Sequence, residues 1–206
     1  MRKTLLILTM ALISISLSAQ EGLKGIWFAG GQIEFSSSKD KSTGVELKTN
    51  NTTVLPIIGG FISPSVAIGT GIGYMGGKTK ADGVQDSKSD SFVLKPLARK
   101  YWNITGGLYF FGQISLPMIF GKIEGENSDS KINTTDISLE IAPGFDYVVN
   151  SWLTIETSFT ILNMGYNKQK PKGGDSSSNF GFNANPFNSI NDRTVGNLQV
   201  GVKFLF

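Results

Sequence analysis

Residues Val195 to Phe206 alternate almost without error: Leu198, Val200, Val202, Phe204 and Phe206 fall on one side, and Asn197, Gln199, Gly201 and Lys203 on the other. A period of two marks a strand whose two faces meet different surroundings. A last segment of this kind, ending on an aromatic residue, predicts a strand that closes a sheet. Few architectures leave room for it, and a closed antiparallel barrel is the first of them.

The opposite end of the chain sets the compartment. Arg2 and Lys3 precede an apolar run from Leu5 to Ile13 broken only by Thr9, followed by Ser14, Ser16, Ser18 and Ala19. This is the layout of a secretory signal peptide, with cleavage expected after Ala19 or after Ser18. Residues 1–19 are therefore read as a leader and residues 20–206 as one exported domain. The leader's apolar run is too short to span a bilayer as a helix, where roughly twenty apolar residues are needed. Later apolar stretches are each broken by Gly, Pro or a charge within about ten residues, so any membrane crossing must be made by strands.

Composition removes whole classes of function. Without Arg2 and Lys3, the 19 basic residues fall to 17 against 16 acidic ones, which argues against a nucleic-acid partner. The chain has no cysteine and no histidine. Disulfides and thiol catalysis are excluded, and the commonest metal ligand and general base are missing. No nucleophile paired with a base and no metal-ligand set is visible, so neither enzymatic activity nor a cofactor or metal is expected.

Alternation predicts eight strands: Ile26 to Phe35, Thr52 to Ile62, Val66 to Met75, Phe92 to Lys100, Ile104 to Gln113, Asp136 to Val148, Leu153 to Asn163, and Val195 to Phe206. Their lengths suit the roughly 9 to 11 residues that a tilted strand needs to cross hydrocarbon. Short connections (Ser63 to Ser65, Tyr101 to Asn103, Val149 to Trp152) alternate with long ones (Ser36 to Asn51, Gly76 to Ser91, Ile114 to Thr135, Met164 to Thr194). An all-β, eight-stranded, antiparallel up-and-down barrel has this rhythm. In that order Trp27, Tyr101, Trp102, Trp152 and Phe206 gather at the short-turn end as an aromatic belt, with Phe35, Tyr74, Phe92 and Tyr166 at the other.

One alternate set is apolar: Trp27, Ala29, Ile33 and Phe35; Phe92, Leu94, Pro96 and Ala98; Ile137 through Tyr147 in steps of two; and Leu153, Ile155, Phe159 and Ile161. The other carries Glu34, Lys95, Arg99, Glu140, Asp146, Glu156 and Lys203. An eight-stranded barrel is just wide enough for side chains to fill it. Unpaired buried charges cost several kcal/mol, so these seven are expected to form one interior polar network, Lys95 and Glu140 standing higher than the rest. Pro56, Pro96 and Pro143 lie within strands, where each predicts a local irregularity. Strands two, three and five carry apolar residues on both faces, which leaves their facing open.

The long connections are hydrophilic. Asp82, Asp86 and Asp90 lack EF-hand spacing and sit among lysines, so a solvated loop is the simpler reading. Lys168, Lys170 and Lys172 could meet lipopolysaccharide phosphates. Phe180, Phe182 and Phe187 are unusual in a solvated loop, and either fold over the barrel mouth or form a contact patch. Gly69-Thr70-Gly71-Ile72-Gly73 continues as strand and opens no helix, so it is not read as a nucleotide loop.

The signal peptide, eight alternating segments, alternating loop lengths and terminal Phe206 together resemble the small outer-membrane β-barrel family of the OmpA/OmpX type, particularly single-domain members of Bacteroidetes-like genomes. The resemblance implies residence in the outer membrane of a Gram-negative bacterium, among lipid and lipopolysaccharide. It also implies that Val202, Phe204 and Phe206 form a C-terminal insertion signal for the barrel insertion machinery, and that the role is structural or exerted on an unknown surface ligand through the loops. Two alternatives stay open. Gly25-Ile26-Trp27 matches the G-x-W signature of lipocalins, whose soluble binding barrels would turn the apolar set inward. A small-solute or apolar-molecule channel, with Ile114 to Glu124 as extra wall in a version of ten or more strands, is the other.

Overall fold

The computed structural model describes residues 23–42, 45–82, 84–125, 131–184, 189–190, 193–194 and 198–206. The leader assigned to residues 1–19 and the aromatic Phe187 lie outside these residues, as do the side chains of Gln32 and Glu34. The strands are β1 (Trp27–Ser42), β2 (Val45–Ser63), β3 (Val66–Ala81), β4 (Val84–Thr105), β5 (Leu108–Ser115), β6 (Met118–Gly125), β7 (Lys131–Asn150), β8 (Leu153–Phe159), β9 (Leu162–Pro171), β10 (Ser177–Asn183), β11 (Ser189–Ile190), β12 (Arg193–Thr194) and β13 (Leu198–Leu205). No helix among the described residues is long and apolar enough to cross a membrane.

Eight wall positions close a ring in the order β1, β2, β3, β4, β5, β7, β8, β13, with every neighbour antiparallel. Closure joins β1 to β13 through Phe28↔Leu205, Ala29↔Phe204 and Gly30↔Lys203. Reciprocal hydrogen bonds of Trp27 N to Phe206 O (2.8 Å) and Phe206 N to Trp27 O (2.9 Å) extend that seam. Strand β6 carries the β5 position onward and β9 carries the β8 position, so Ile114 to Glu124 lengthens the fifth wall position and adds no new one.

Exposure fixes which face is which. Ile33, Ile58, Ile68, Ile72, Phe92, Phe145, Ile155 and Phe204 stand on the outer wall, while Arg99, Asp146 and Lys203 are buried within. A soluble lipocalin-like barrel would need the reverse, and Trp27 of the Gly25-Ile26-Trp27 signature points outward. In β2, β3 and β5 the inner apolar residues are mostly large rings or small residues packed at the short-turn end, which is why both faces looked apolar.

The prolines break the ladders locally. Opposite Pro143, the register passes from Ile141↔Leu162 to Gly144↔Ser158, so two β7 residues face Phe159, Thr160 and Ile161. That one-residue bulge shifts the phase of the wall. Leu162, Met164 and Tyr166 take the outer face, and Ile161, placed there by strict alternation, belongs to the bulge itself. Near Pro56 the β2–β3 pairing lapses between Val54↔Tyr74 and Ile57↔Gly71. Leu116 and Pro117 interrupt the fifth wall position beside Pro96, where Leu116 N still donates to Pro96 O at 3.0 Å.

Two expected boundaries move. Strand β4 runs through Tyr101 to Asn103 and turns instead at Gly106-Gly107, where Gly106 has φ +52°. The long connections are largely strand: β1 and β2 stay paired out to Ser42↔Val45, and β3 and β4 out to Ala81↔Val84, where Asp82 takes φ 48°. Apart from Val45, Leu47, Ala81 and Val84 the residues there are polar or glycine, so no hydrophobic period announces them.

Candidate functional site

The interior is built in two layers. At the short-turn end Phe28, Phe61, Ala67, Tyr101, Phe111 and Leu205 form a buried cluster. Ring centroids lie 6.0 Å apart for Phe28 and Phe61, 5.2 Å for Phe61 and Tyr101, and 5.5 Å for Tyr101 and Phe111. Glycines opposite the rings make the room: a Cβ at Gly59 would sit 2.4 Å from Phe28 Cζ, and one at Gly144 would sit 2.4 Å from Phe111 Cζ. This apolar plug closes one end of the lumen.

Directly on the plug rests a chain of charges. Lys203 Nζ on β13 reaches Asp146 on β7, Glu156 Oε2 on β8 at 3.2 Å and the Tyr101 hydroxyl at 3.2 Å. Arg99 on β4 holds Glu156 by two bonds, Nη1 to Oε2 at 2.6 Å and Nη2 to Oε1 at 3.1 Å. Its Nε donates to Gln113 Oε1 at 2.7 Å, and its guanidinium carbon lies 4.7 Å from the Phe111 ring centroid. Gln113 continues to Ser115 (3.5 Å), Ser115 to Glu140 (3.2 Å), and Glu140 pairs Lys95 at 2.8 Å. The structure thus brings six of the seven expected residues, Lys95, Arg99, Glu140, Asp146, Glu156 and Lys203, into one connected run. The side chain of the seventh, Glu34, lies outside the described ones.

Three cations meet three carboxylates here, so the network itself is neutral; Asp136, farther along β7 in the same phase, accepts a hydrogen bond from Asn167. Above the network the lumen opens into a cavity of about 470 Å³ lined by Asp136, Ser138, Glu140, Asn163 and Asn167 among others. The void enclosed beside Lys95, Arg99, Gln113, Glu156 and Gln199 measures about 30 Å³, the share of about one water molecule. A second, beside Asp146, Thr154 and Tyr109, measures about 10 Å³. Gln113, Ser115 and the Tyr101 hydroxyl link the charged groups, and sequence reasoning missed all three as members. Their inward phase in β4 and β5 was the available signal.

Tyr101 is a correction. It was expected in the belt, and it is instead 3% exposed at the centre of the plug. Because β4 continues past Lys100, alternation sends Tyr101 inward and Trp102 outward, the latter against Phe110 at 5.6 Å. Trp27, Trp152 and Phe206 stand on the outer face at the short-turn end, and Trp152 stacks on Phe204 at 6.0 Å. Val202 and Phe204 share that face.

At the far end Tyr74, Phe92 and Phe120 lie side by side on β3, β4 and β6, all outward. Phe180 and Phe182 do not cover the mouth; they stand outward on β10, opposite Tyr166 and Met164. Beyond the aromatic row, Lys88 and Tyr74 both donate to Asp90, and these bonds hold its carboxyl below the usual carboxylate range. Asp82 sits at the β3–β4 tip, away from Asp90. Among the described residues no three His, Cys, Asp or Glu stand together as metal ligands.

Comparison with known proteins gives one family and several relatives. The family model for the outer membrane protein beta-barrel domain matches residues 6–204. A protein named "Putative adhesin" from Rickettsia massiliae (strain Mtu5) is 26% identical over 196 residues, covering 82% of this chain and 87% of its own. A similarly named protein of Rickettsia rickettsii (strain Sheila Smith) is also 26% identical, with the same coverage. Among solved structures, the outer membrane protein OprG from Pseudomonas aeruginosa aligns with TM-score 0.48 and 12% identity, over 89% of this chain and 97% of its own. Neisserial surface protein A aligns with TM-score 0.45 and 16% identity, over 90% and 100%.

Proposed function

Because the chain belongs to the outer membrane protein β-barrel domain family, and so to the outer membrane, we propose that it acts at the cell surface as a non-enzymatic adhesive barrel whose lumen carries no solute. One observation carries this reading: the wall is far taller than the membrane. Strands β1, β2, β3, β4 and β7 hold 16, 19, 16, 22 and 20 residues, where roughly 9 to 11 suffice to cross hydrocarbon. The surplus stands on the side of the long hairpins and presents a stiff sheet to the exterior. The adhesin-named relatives support the same reading.

The interior supports the second half. An aromatic plug below and a neutral, hydrogen-bonded charge run on top of it leave voids of about 30 and 10 Å³, too small for a solute path, so the cavity of about 470 Å³ above the run is blind at its lower end. The absence of histidine and cysteine from the sequence supports a non-enzymatic role. In this reading Trp27, Trp102, Trp152 and Phe206 seat the short-turn end at the inner interface, and Val202, Phe204 and Phe206 offer the outward row that meets the insertion machinery.

The test is display on a bacterial surface with the projecting hairpins shortened. Replacing residues 37–49 and 78–88 by two-residue turns should leave a heat-modifiable barrel and abolish attachment to host-cell layers. Attachment equal to that of the full chain contradicts the adhesive reading. Steady conductance of the full chain in planar bilayers contradicts the closed lumen.

A further inference from the structure

The outward face of β2, β3 and β4 beyond the aromatic row carries lysines in an arrangement that a sheet normally avoids. Lys78 and Lys88 are direct cross-strand partners, and so are Lys48 and Lys80. Lys48 is also opposite Lys39, which makes a row of three lysines across β1, β2 and β3. Like charges directly opposite destabilise a sheet. Some neutralisation is local, since Lys39 pairs Glu46 at 2.9 Å and Lys88 pairs Asp90 at 2.6 Å. Lys48, Lys78 and Lys80 have no ion pair among the described residues.

Between the facing lysines lies a groove of about 320 Å³, rimmed by Asn50, Tyr74, Lys78, Lys88 and the Asp90 carboxylate that Lys88 and Tyr74 hold, and floored by Gly76. A Cβ at Gly76 would meet Tyr74 Oη at 2.6 Å, so the floor is low because that residue is glycine. The height of the groove is set by its neighbours. Tyr74 and Phe92 are opposite one another, and aromatic residues of this kind sit at headgroup level. Lys78 is four residues farther out, roughly 13 Å along the strand and about 10 Å along the membrane normal at a barrel tilt near 40°. Lysine stems are long enough to reach back toward the interface.

We propose that the Lys78–Lys88 groove, with Lys48 and Lys80 above it, binds the phosphorylated sugar headgroup of an outer-leaflet glycolipid. Phosphate oxygens offer the anionic partner that Lys48, Lys78 and Lys80 lack and a second one to Lys88, and Asn50 and the Tyr74 hydroxyl can bond sugar hydroxyls. A bound phosphate also turns the repulsion between opposed lysines into a shared attraction, which explains why the pairs are tolerated. This inference rests on residence in the outer membrane and is independent of adhesion.

The experiment uses the refolded full chain in zwitterionic micelles, with bisphosphorylated lipid A as probe and its dephosphorylated form as control. The wild type should retain bisphosphorylated lipid A in native mass spectra and gain a higher unfolding midpoint, and should do neither with the dephosphorylated form. Lys78→Gln/Lys88→Gln should lower retention at least tenfold, whereas Lys24→Gln near the short-turn end should not. In lipid-free micelles the double variant should unfold close to the wild-type midpoint, because it loses both the Lys78–Lys88 repulsion and the Lys88–Asp90 pair. If the double variant fails to fold, Lys88→Gln alone should lower retention and Lys88→Arg should restore it. Equal retention of the two lipid forms, retention unchanged by Lys78→Gln/Lys88→Gln, or preference for a soluble sulfated polysaccharide over lipid A would each overturn the proposal.

Discussion

Arg99 on β4 and Glu156 on β8 are 57 residues apart in sequence and joined across the lumen by two hydrogen bonds of 2.6 and 3.1 Å. The planar guanidinium matches the carboxylate fork, which is the strongest form of such a pair. Glu156 also serves Lys203 at 3.2 Å, so one carboxylate holds two buried cations. Glu156→Gln should therefore cost about 3–5 kcal/mol, the usual penalty for stranding a buried charge. Arg99→Met/Glu156→Leu should cost less than Glu156→Gln despite removing more polar contact. Urea titration in micelles, followed by gel mobility without boiling, measures both.

Tyr101 offers a second test, because its ring belongs to the plug and its hydroxyl to the charge run. Tyr101→Phe keeps the ring contacts with Phe61 and Phe111 and should cost about 1 kcal/mol for the lost hydrogen bonds. Tyr101→Ala empties the plug and should cost about 3–5 kcal/mol. A Tyr101→Ala barrel as stable as the wild type would mean that the ring faces lipid.

Gly144 and Gly181 should respond oppositely to the same change. A Cβ at Gly144 collides with Phe111 and with Thr157 O at 2.3 Å, while one at Gly181 meets nothing within 4 Å. Gly144→Ala should destabilise by about 1–3 kcal/mol, the scale of overpacking, and Gly181→Ala should be neutral. Unfolding midpoints of the two variants decide it.

The Lys88–Asp90–Tyr74 cluster on the outer wall makes a pH-dependent contribution of known sign. The Asp90 carboxyl is held low by Lys88 and then by Tyr74, so its contribution is complete above the unfolded carboxylate value near 3.9. It is lost as pH falls through the lower folded value. Hydrogen exchange of the β3–β4 amides should be unchanged by this group from pH 7 to 5, and should loosen only in stronger acid. Asp90→Asn should abolish the acid-side step.

The sequence made the wall legible wherever one face met lipid and the other the lumen. In β7 and β8 the alternation of Ile137 through Tyr147 and of Leu153 with Thr154 places residues on the faces they occupy. It became silent where both faces are wet, and so the paired extensions of β1 to β4 read as loops. It misled at β4, where Tyr101 and Trp102 looked like turn residues although Gly106-Gly107, with its left-handed Gly106, was the better turn signal. Past Pro143 the bulge adds a residue to one side of the ladder, and no local pattern in Phe159 to Leu162 reveals that change of phase. The charged residues of the interior could be named from their phase, but their links through Gln113, Ser115 and Tyr101 depend on neighbours brought together only by closure.

The central claim, hydrocarbon outside and mutually neutralised charges within, is tested most directly by spin labels placed one at a time along β8. The chain has no native cysteine, so single-cysteine variants at Leu153 through Phe159 can be labelled without interference and probed for collision with oxygen dissolved in the bilayer. Labels at 153, 155, 157 and 159 should collide strongly and those at 154, 156 and 158 weakly. The opposite phase, or no period of two, would contradict the account.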